Sequence, residues 1–245
     1  CISNLVKYRF ITHNLNYMKK KFLSIIIYFL LFIANSYGHV GHYKDYSYLE
    51  YELFRNNKSI GYHKYEFERK NNELSVKSIV EFKISKLNID LYKYYAESIE
   101  KYKDGKFFSF ASKTNQNKKE KYVNIKVNEK KNELIIDGSS YKGPAAIDDI
   151  IGTWWNHEII KSKAQISAIS GRIIQQTVTF IGKEKIKIGD KEYNALHFNF
   201  KSSDQSLPDN KKLNTDIWYE ENTYLWLKAA FDKRGYWEYR LKKTR

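Results

Sequence analysis

From residue 46 onward, apolar and polar positions alternate with a period of two, the pattern of strands that bury one face. Leu74, Val76, Ser78, Val80, Phe82 and Ile84 share one side, while Ser75, Lys77, Glu81 and Lys83 share the other. Leu49, Tyr51 and Leu53 alternate with Glu50 and Glu52, and His63, Tyr65 and Phe67 alternate with Tyr62, Lys64, Glu66 and Glu68. A slip of one residue in any such run would turn its apolar set to water, so register is tightly specified. Turn signals punctuate the runs: Asn56-Asn57-Lys58, Asn71-Asn72, Asp104-Gly105-Lys106, Gly189-Asp190-Lys191 and Lys233-Arg234-Gly235. Asn, Asp and Gly tolerate the positive φ of tight hairpins, and strands joined by such short turns run antiparallel. The pattern predicts strands over 46–55, 59–69, 73–86, 89–103, 107–115, 120–128, 133–137, 172–181, 184–188, 193–201, 213–220, 225–232 and 236–242.

Residues 142–170 break the alternation. Pro144 suits the first position of a helix, and Ile147, Ile150 and Ile151 fall at helical spacing, so a short helical insertion is expected around 144–161. Residues 203–212, with Pro208-Asp209-Asn210, read as a surface loop. Long strands with one apolar face must close or curl. The expected fold is all-β, a single domain over 46–245: a strongly curved antiparallel sheet forming a barrel or half-barrel, its mouth covered by the insertion.

Ahead of this domain the pattern is different. Met18-Lys19-Lys20-Lys21 is followed by an apolar run, Phe22 to Ile33, interrupted only by Ser24 and Tyr28, and then by Ala34-Asn35-Ser36-Tyr37-Gly38. A basic start, a short apolar run and small residues make a secretory signal over 18–38, cleaved after Gly38 or Ser36. An uncleaved membrane anchor is the alternative, although the run falls short of the roughly 20 residues a spanning helix needs. Residues 1–17 read as upstream sequence and 39–45 as a flexible N-terminus. The expected location is therefore periplasmic or secreted.

Composition sharpens this picture. Cys1 is the single cysteine of the 245 residues, so the domain uses no disulfide. The formal net charge is +15, and because residues 1–38 hold five basic and no acidic side chains, the remainder carries +10. Such a balance suits an anionic envelope polymer or lipid surface. Lysine outnumbers arginine 36 to 7, however, and arginine is the residue of specific phosphate recognition. Export also removes nucleic acid as a partner.

Motifs of catalysis are sparse. There is no Gly-x-Ser-x-Gly elbow, no His-Glu-x-x-His helix and no phosphate-cradling glycine loop, so no cofactor or metal is expected. His157-Glu158, near Asp148 and Asp149, is the one acid–base cluster an envelope hydrolase could use. His197 shares a face with Asn199 and is expected to be solvated, whereas His63 lies on an apolar face beside Tyr65. Trp154, Trp155, Trp218, Trp226 and Trp237 all fall in the second half of the chain. Tryptophan and tyrosine offer a large apolar body with one polar tip, suited to a packed core or a lined cavity.

Several segments also resemble an uncharacterised family of exported bacterial proteins. The opening run Tyr51-Glu52-Leu53-Phe54-Arg55-Asn56-Asn57-Lys58-Ser59-Ile60-Gly61-Tyr62-His63 is similar to that family's first hairpin. Thr153-Trp154-Trp155-Asn156, Gly171, Asp216-Ile217-Trp218-Tyr219 and Gly235-Tyr236-Trp237-Glu238-Tyr239 follow in the family's order, over roughly 46–243. Ala168-Ile169-Ser170 departs from the polar turn the family would place before Gly171. The resemblance implies a β-barrel or clam-like domain, loosely similar to periplasmic lipoprotein-carrier half-barrels, and implies no activity. Taken together, the expectation is a non-enzymatic module that binds an apolar or amphipathic, lipid-like ligand through His63, Tyr65, Trp155, Asn156, Trp218 and Trp226. A filled barrel that binds the cell envelope from its outer face is the alternative.

Overall fold

The computed structural model describes residues 43–245 apart from Asn88. The expected signal segment, residues 1–17 and residues 39–42 lie outside the described residues. The first half of the domain is a run of hairpins: β1 (Tyr48–Arg55), β2 (Lys58–Lys70), β3 (Glu73–Lys86), β4 (Ile89–Lys103), β5 (Lys106–Gln116), β6 (Lys119–Asn128), β7 (Glu133–Gly138) and β8 (Lys142–Ala146). The second half comprises β9 (Ile150–Ile151), β10 (Ala164–Ile166), β11 (Ile173–Ile188), β12 (Lys191–Ser202), β13 (Asn214–Glu220), β14 (Trp226–Asp232) and β15 (Tyr236–Thr244).

All belong to one sheet, in the order β8-β7-β6-β5-β4-β3-β2-β1-β15-β14-β13-β12-β11-β10-β9. The first and last strands pair antiparallel in the middle of the sheet, Tyr51 opposite Leu241 and Leu53 opposite Tyr239. The two edges, β8 and β9, are consecutive in the chain. The curved sheet is thus joined at its seam by covalent chain, residues 147–149, and not closed by hydrogen bonds. One contact across the seam region is a backbone bond from Ser140 N–H to the Ser170 carbonyl at 2.9 Å.

The segment expected to be helical contains a single 3-10 turn, His157–Ile160. Pro144 instead sits in β8, an edge strand, where a missing N–H breaks no ladder. Ile150 and Ile151 form β9, parallel to β10, and Ile151 is buried in the core. Their helix-like spacing reflects that apolar packing. The strands expected at 172–181 and 184–188 are one, β11, which continues through a bulge between Phe180 and Gly182.

Alternation places the apolar set on the inner face, as the sequence demands. One cross-strand row runs Tyr51, His63, Val80, Ala96 and Thr114 through β1 to β5. The next runs Leu53, Gly61, Phe82, Tyr94 and Gln116. A large aromatic core forms around Tyr43, Tyr51, Tyr65, Trp155, Tyr219 and Trp226, and a smaller aliphatic one around Val123, Ile125, Leu134, Ile136, Ile151 and Ile166.

Candidate functional site

The interior is organised by the segment from Ile151 to Ser162, which enters the concavity as a plug. Trp155, fully buried, meets Tyr43, Phe67 and Tyr102 edge-on with ring centroids 5.4–5.8 Å apart. Its Nε1–H donates to Oε2 of Glu100 at 3.1 Å, and the Thr153 hydroxyl donates to the same oxygen at 3.4 Å. The Tyr102 hydroxyl donates to the other carboxylate oxygen, and Asn156 Nδ2 donates to the Tyr102 hydroxyl at 3.3 Å. Glu100 is buried with no cation among these partners. Burial therefore pushes its carboxyl up to about 7, against the opposing pull of the Tyr102, Trp155 and Thr153 donors.

Hydroxyls from both halves of the sheet hold the plug's backbone. Tyr65 of β2 donates to the Thr153 carbonyl at 2.6 Å and Tyr219 of β13 to the Trp154 carbonyl at 2.8 Å. Gln176 of β11 donates to the carbonyls of Ile159 and Ser162 at 3.1 and 3.0 Å. Between the two tyrosine anchors Trp154 adopts φ +61°, a left-handed conformation costly for a bulky side chain and sustained by its surroundings. Asn156 caps the 3-10 turn, its Oδ1 accepting from Glu158 N–H at 3.2 Å.

Beside the plug lies an aromatic wall. His63 packs against Tyr65 with ring centroids 4.3 Å apart and planes tilted by 34°, and Trp226 lies 6.0 Å from His63 and 6.3 Å from Tyr65. Trp154 packs edge-on against Trp226 at 5.5 Å and Tyr239 at 5.6 Å, and Tyr239 reaches His63 at 5.9 Å. Two hydroxyls fix the Trp226 backbone: Tyr43 accepts from its N–H at 2.9 Å and Tyr51 donates to its carbonyl at 2.8 Å. The ring nitrogens are less well served. His63 Nε2 pairs with the Ser78 hydroxyl at 2.8 Å, but His63 Nδ1, Trp154 Nε1 and Trp226 Nε1 are buried without a hydrogen-bond partner among the described residues. An unmet buried polar atom costs about 1–3 kcal/mol, and three around one cluster are unusual for a finished core. Burial lowers the His63 pKa to about 3, so the ring is neutral. From this wall the inner face continues through half-buried Val80, Phe82, Ile84 and Tyr92, with Trp237 edge-on to Phe82 at 5.2 Å.

The structure therefore brings His63, Tyr65 and Trp226 together and puts Trp155 and Asn156 on the adjoining plug. Trp218 stands apart, on the other side of its strand from Ile217 and Tyr219. There it stacks on His197 at 4.3 Å, lies under Lys228 Nζ at 4.7 Å and donates Nε1–H to Glu184. His197 is on the expected polar face but is wedged between Glu184 and Asp216, at 3.1 and 3.0 Å. His157 and Glu158 are 3.2 Å apart, with Lys161 Nζ 3.0 Å from each Glu158 oxygen and Tyr224 stacked on the imidazole at 4.5 Å. Glu100, and Trp154 among the tryptophans, are important residues outside the binding set expected from the sequence. Glu100 was marked by its phase, an acidic residue at an inner position of β4 between Ser98 and Tyr102.

This architecture is that of a β-barrel-like protein. The crystal structure of a beta-barrel-like protein of the domain of unknown function DUF1849, from Brucella abortus, is similar with a TM-score of 0.56 over 80% of this chain and 95% of that chain. The two share 11% sequence identity, so the likeness is one of fold alone. The chain belongs to the DUF6134 family, a domain of unknown function, whose model matches residues 51–242. No curated protein matches the sequence.

Proposed function

We propose that this protein is a non-enzymatic binding module of the cell envelope that holds an apolar or amphipathic molecule against the inner face of its curved sheet. The observation carrying this reading is the aromatic wall of His63, Trp154, Trp226 and Tyr239, in which three ring nitrogens are buried with no hydrogen-bond partner among the described residues. An acceptor on an amphipathic ligand would satisfy the two indole donors of Trp154 and Trp226, and its apolar part would extend along Val80, Phe82 and Tyr92. Each aromatic or aliphatic side chain covered in this way contributes on the order of 1.5–3 kcal/mol before ordering costs. A few such contacts reach micromolar affinity. Export, expected from residues 18–38, would put the module where such ligands are handled.

Delipidated protein titrated with the fluorescent probe N-phenyl-1-naphthylamine tests the reading. Saturable binding that oleate displaces, and that Val80→Trp abolishes by filling the row between His63 and Ala96, is expected. Absence of saturable binding to a folded, delipidated chain overturns it.

A further inference from the structure

The β3–β4 hairpin outruns its neighbours. Pairing of β2 with β3 stops at Gly61 opposite Phe82, and pairing of β4 with β5 stops at Tyr94 opposite Gln116. Beyond those points Lys83–Lys86 and Ile89–Lys93 form ladder pairs with each other, Lys83 opposite Lys93 and Lys86 opposite Ile89, with one bond to a neighbour at the base, from Asn117 N–H to the Lys93 carbonyl at 2.8 Å. A two-stranded ribbon standing alone is marginal in water, and it normally carries polar side chains. This one carries Leu87, 87% exposed, Ile89, 65% exposed, and Leu91, 55% exposed. Leu87 also holds φ +50°, a turn conformation that favours Gly or Asn.

The charges on the same arm are equally one-sided. Lys83, Lys86 and Lys93 face a single aspartate, Asp90, which Lys93 Nζ approaches at 3.1 Å and to which the Ser85 hydroxyl donates at 2.6 Å. Directly opposite lysines repel, and the Asp90 carboxylate, which feels both Lys83 and Lys93, offsets only part of the three positive charges, so the arm keeps a net positive charge. Both line a groove of about 630 Å³ at the arm's base, shared with Tyr62, Glu81, Asp90 and Tyr95. Aliphatic side chains at a projecting tip, backed by lysines, match the two layers of an anionic bilayer surface: hydrocarbon for the former, phosphate headgroups for the latter.

We infer that this arm docks the protein on anionic lipid membranes, with Leu87, Ile89 and Leu91 entering the acyl boundary and Lys83, Lys86 and Lys93 meeting the headgroups. This goes beyond the ligand-binding reading and stands whether or not the interior holds a molecule. The test uses the full chain with Cys1→Ser and Leu87→Cys, labelled at the tip with an environment-sensitive nitrobenzoxadiazole. A second chain is labelled at Lys130→Cys, in the exposed β6–β7 turn, as the control. With vesicles of equimolar phosphatidylglycerol and phosphatidylcholine, the tip label shifts to the blue and the turn label does not. The shift is absent on pure phosphatidylcholine and is lost at high salt. Lys83→Gln, Lys86→Gln and Lys93→Gln together weaken it roughly tenfold to a hundredfold. No tip shift on anionic vesicles, an equal shift at the turn, or an equal shift on neutral vesicles each overturns the inference. A protein partner in place of the membrane would give the first of these.

Discussion

Replacing Glu100 by Gln isolates the energetic consequence of a buried carboxyl that no cation neutralises. The substitution keeps the shape. The amide oxygen can still accept from Trp155 Nε1 and Thr153 Oγ1, while the amide nitrogen faces the Tyr102 hydroxyl, which must then accept and turn its own proton away. That rearrangement costs about one hydrogen bond, on the order of 1 kcal/mol, at every pH. The pH-dependent part is larger. The carboxyl ionises near pH 4.5 in the unfolded chain and near pH 7 in the fold, because burial outweighs its donors. The folded state therefore holds the proton more tightly, so the stability it confers is complete below pH 4.5, drains as pH rises towards 7, and is level above that. At about 1.4 kcal/mol per pH unit, the loss between pH 5 and pH 8 is roughly 2–3 kcal/mol. Denaturant unfolding of wild type and Glu100→Gln at both pH values measures it, and every other titrating group cancels in the comparison. The wild type should lose about 2–3 kcal/mol more than the variant across that interval. Equal pH dependence in the two proteins would refute the argument that Glu100 is buried as an ionisable acid.

Three further substitutions probe the packing. Trp155→Ala empties the centre of the plug and should cost about 3–5 kcal/mol by denaturant unfolding; a loss under about 1 kcal/mol would mean the plug is not packed as described. Gly61→Ala would set a Cβ 2.0 Å from the Glu81 carbonyl oxygen and 2.6 Å from Phe82 Cα, both backbone-bound, so a loss of at least about 1–3 kcal/mol is expected and a neutral outcome would contradict the β2–β3 register. For His63 the sign is opposite to Glu100. Its pKa is depressed to about 3 by burial, so its contribution is present above pH 6.5 and lost as pH falls towards 3. His63→Leu should make the acid limb of the stability curve shallower over that interval, and an unchanged limb would place the imidazole in water.

The hairpins were legible because half-burial writes a period of two into the sequence and Asn, Asp and Gly mark the corners. β3 and β4 follow the alternation from Leu74 to Tyr102 almost residue for residue. What the pattern could not express is the behaviour of 142–170. Those residues pair at the edges and fill the interior, so their apolar positions answer to three-dimensional packing and have no period of their own. Pro144 looked like a helix start because its ring suits both a helix entry and an edge strand, and local sequence does not separate the two. The site was half visible. His63 and Tyr65 share the inner face that alternation assigns them, and Trp218 is out of phase with Ile217, but Trp226 alternates in phase with Lys228 and reaches the inner face only through the register shift that sets it opposite Tyr219. Glu100 and Trp154 depend on the plug's path: beyond nearby Tyr102, the carboxyl acquires its partners only once Thr153 and Trp155 arrive, 53 and 55 residues later.

The indole N–H resonances of the five tryptophans, followed by nuclear magnetic resonance as oleate is added to the delipidated chain, test the inner aromatic wall most directly. Trp154 and Trp226, whose N–H groups have no acceptor among the described residues, should move downfield as they acquire one. Trp155, Trp218 and Trp237 already donate to Glu100, Glu184 and the Lys233 carbonyl, and should stay in place. Movement confined to Trp218 and Trp237, or no movement at saturating oleate, would contradict a ligand seated against the inner aromatic wall.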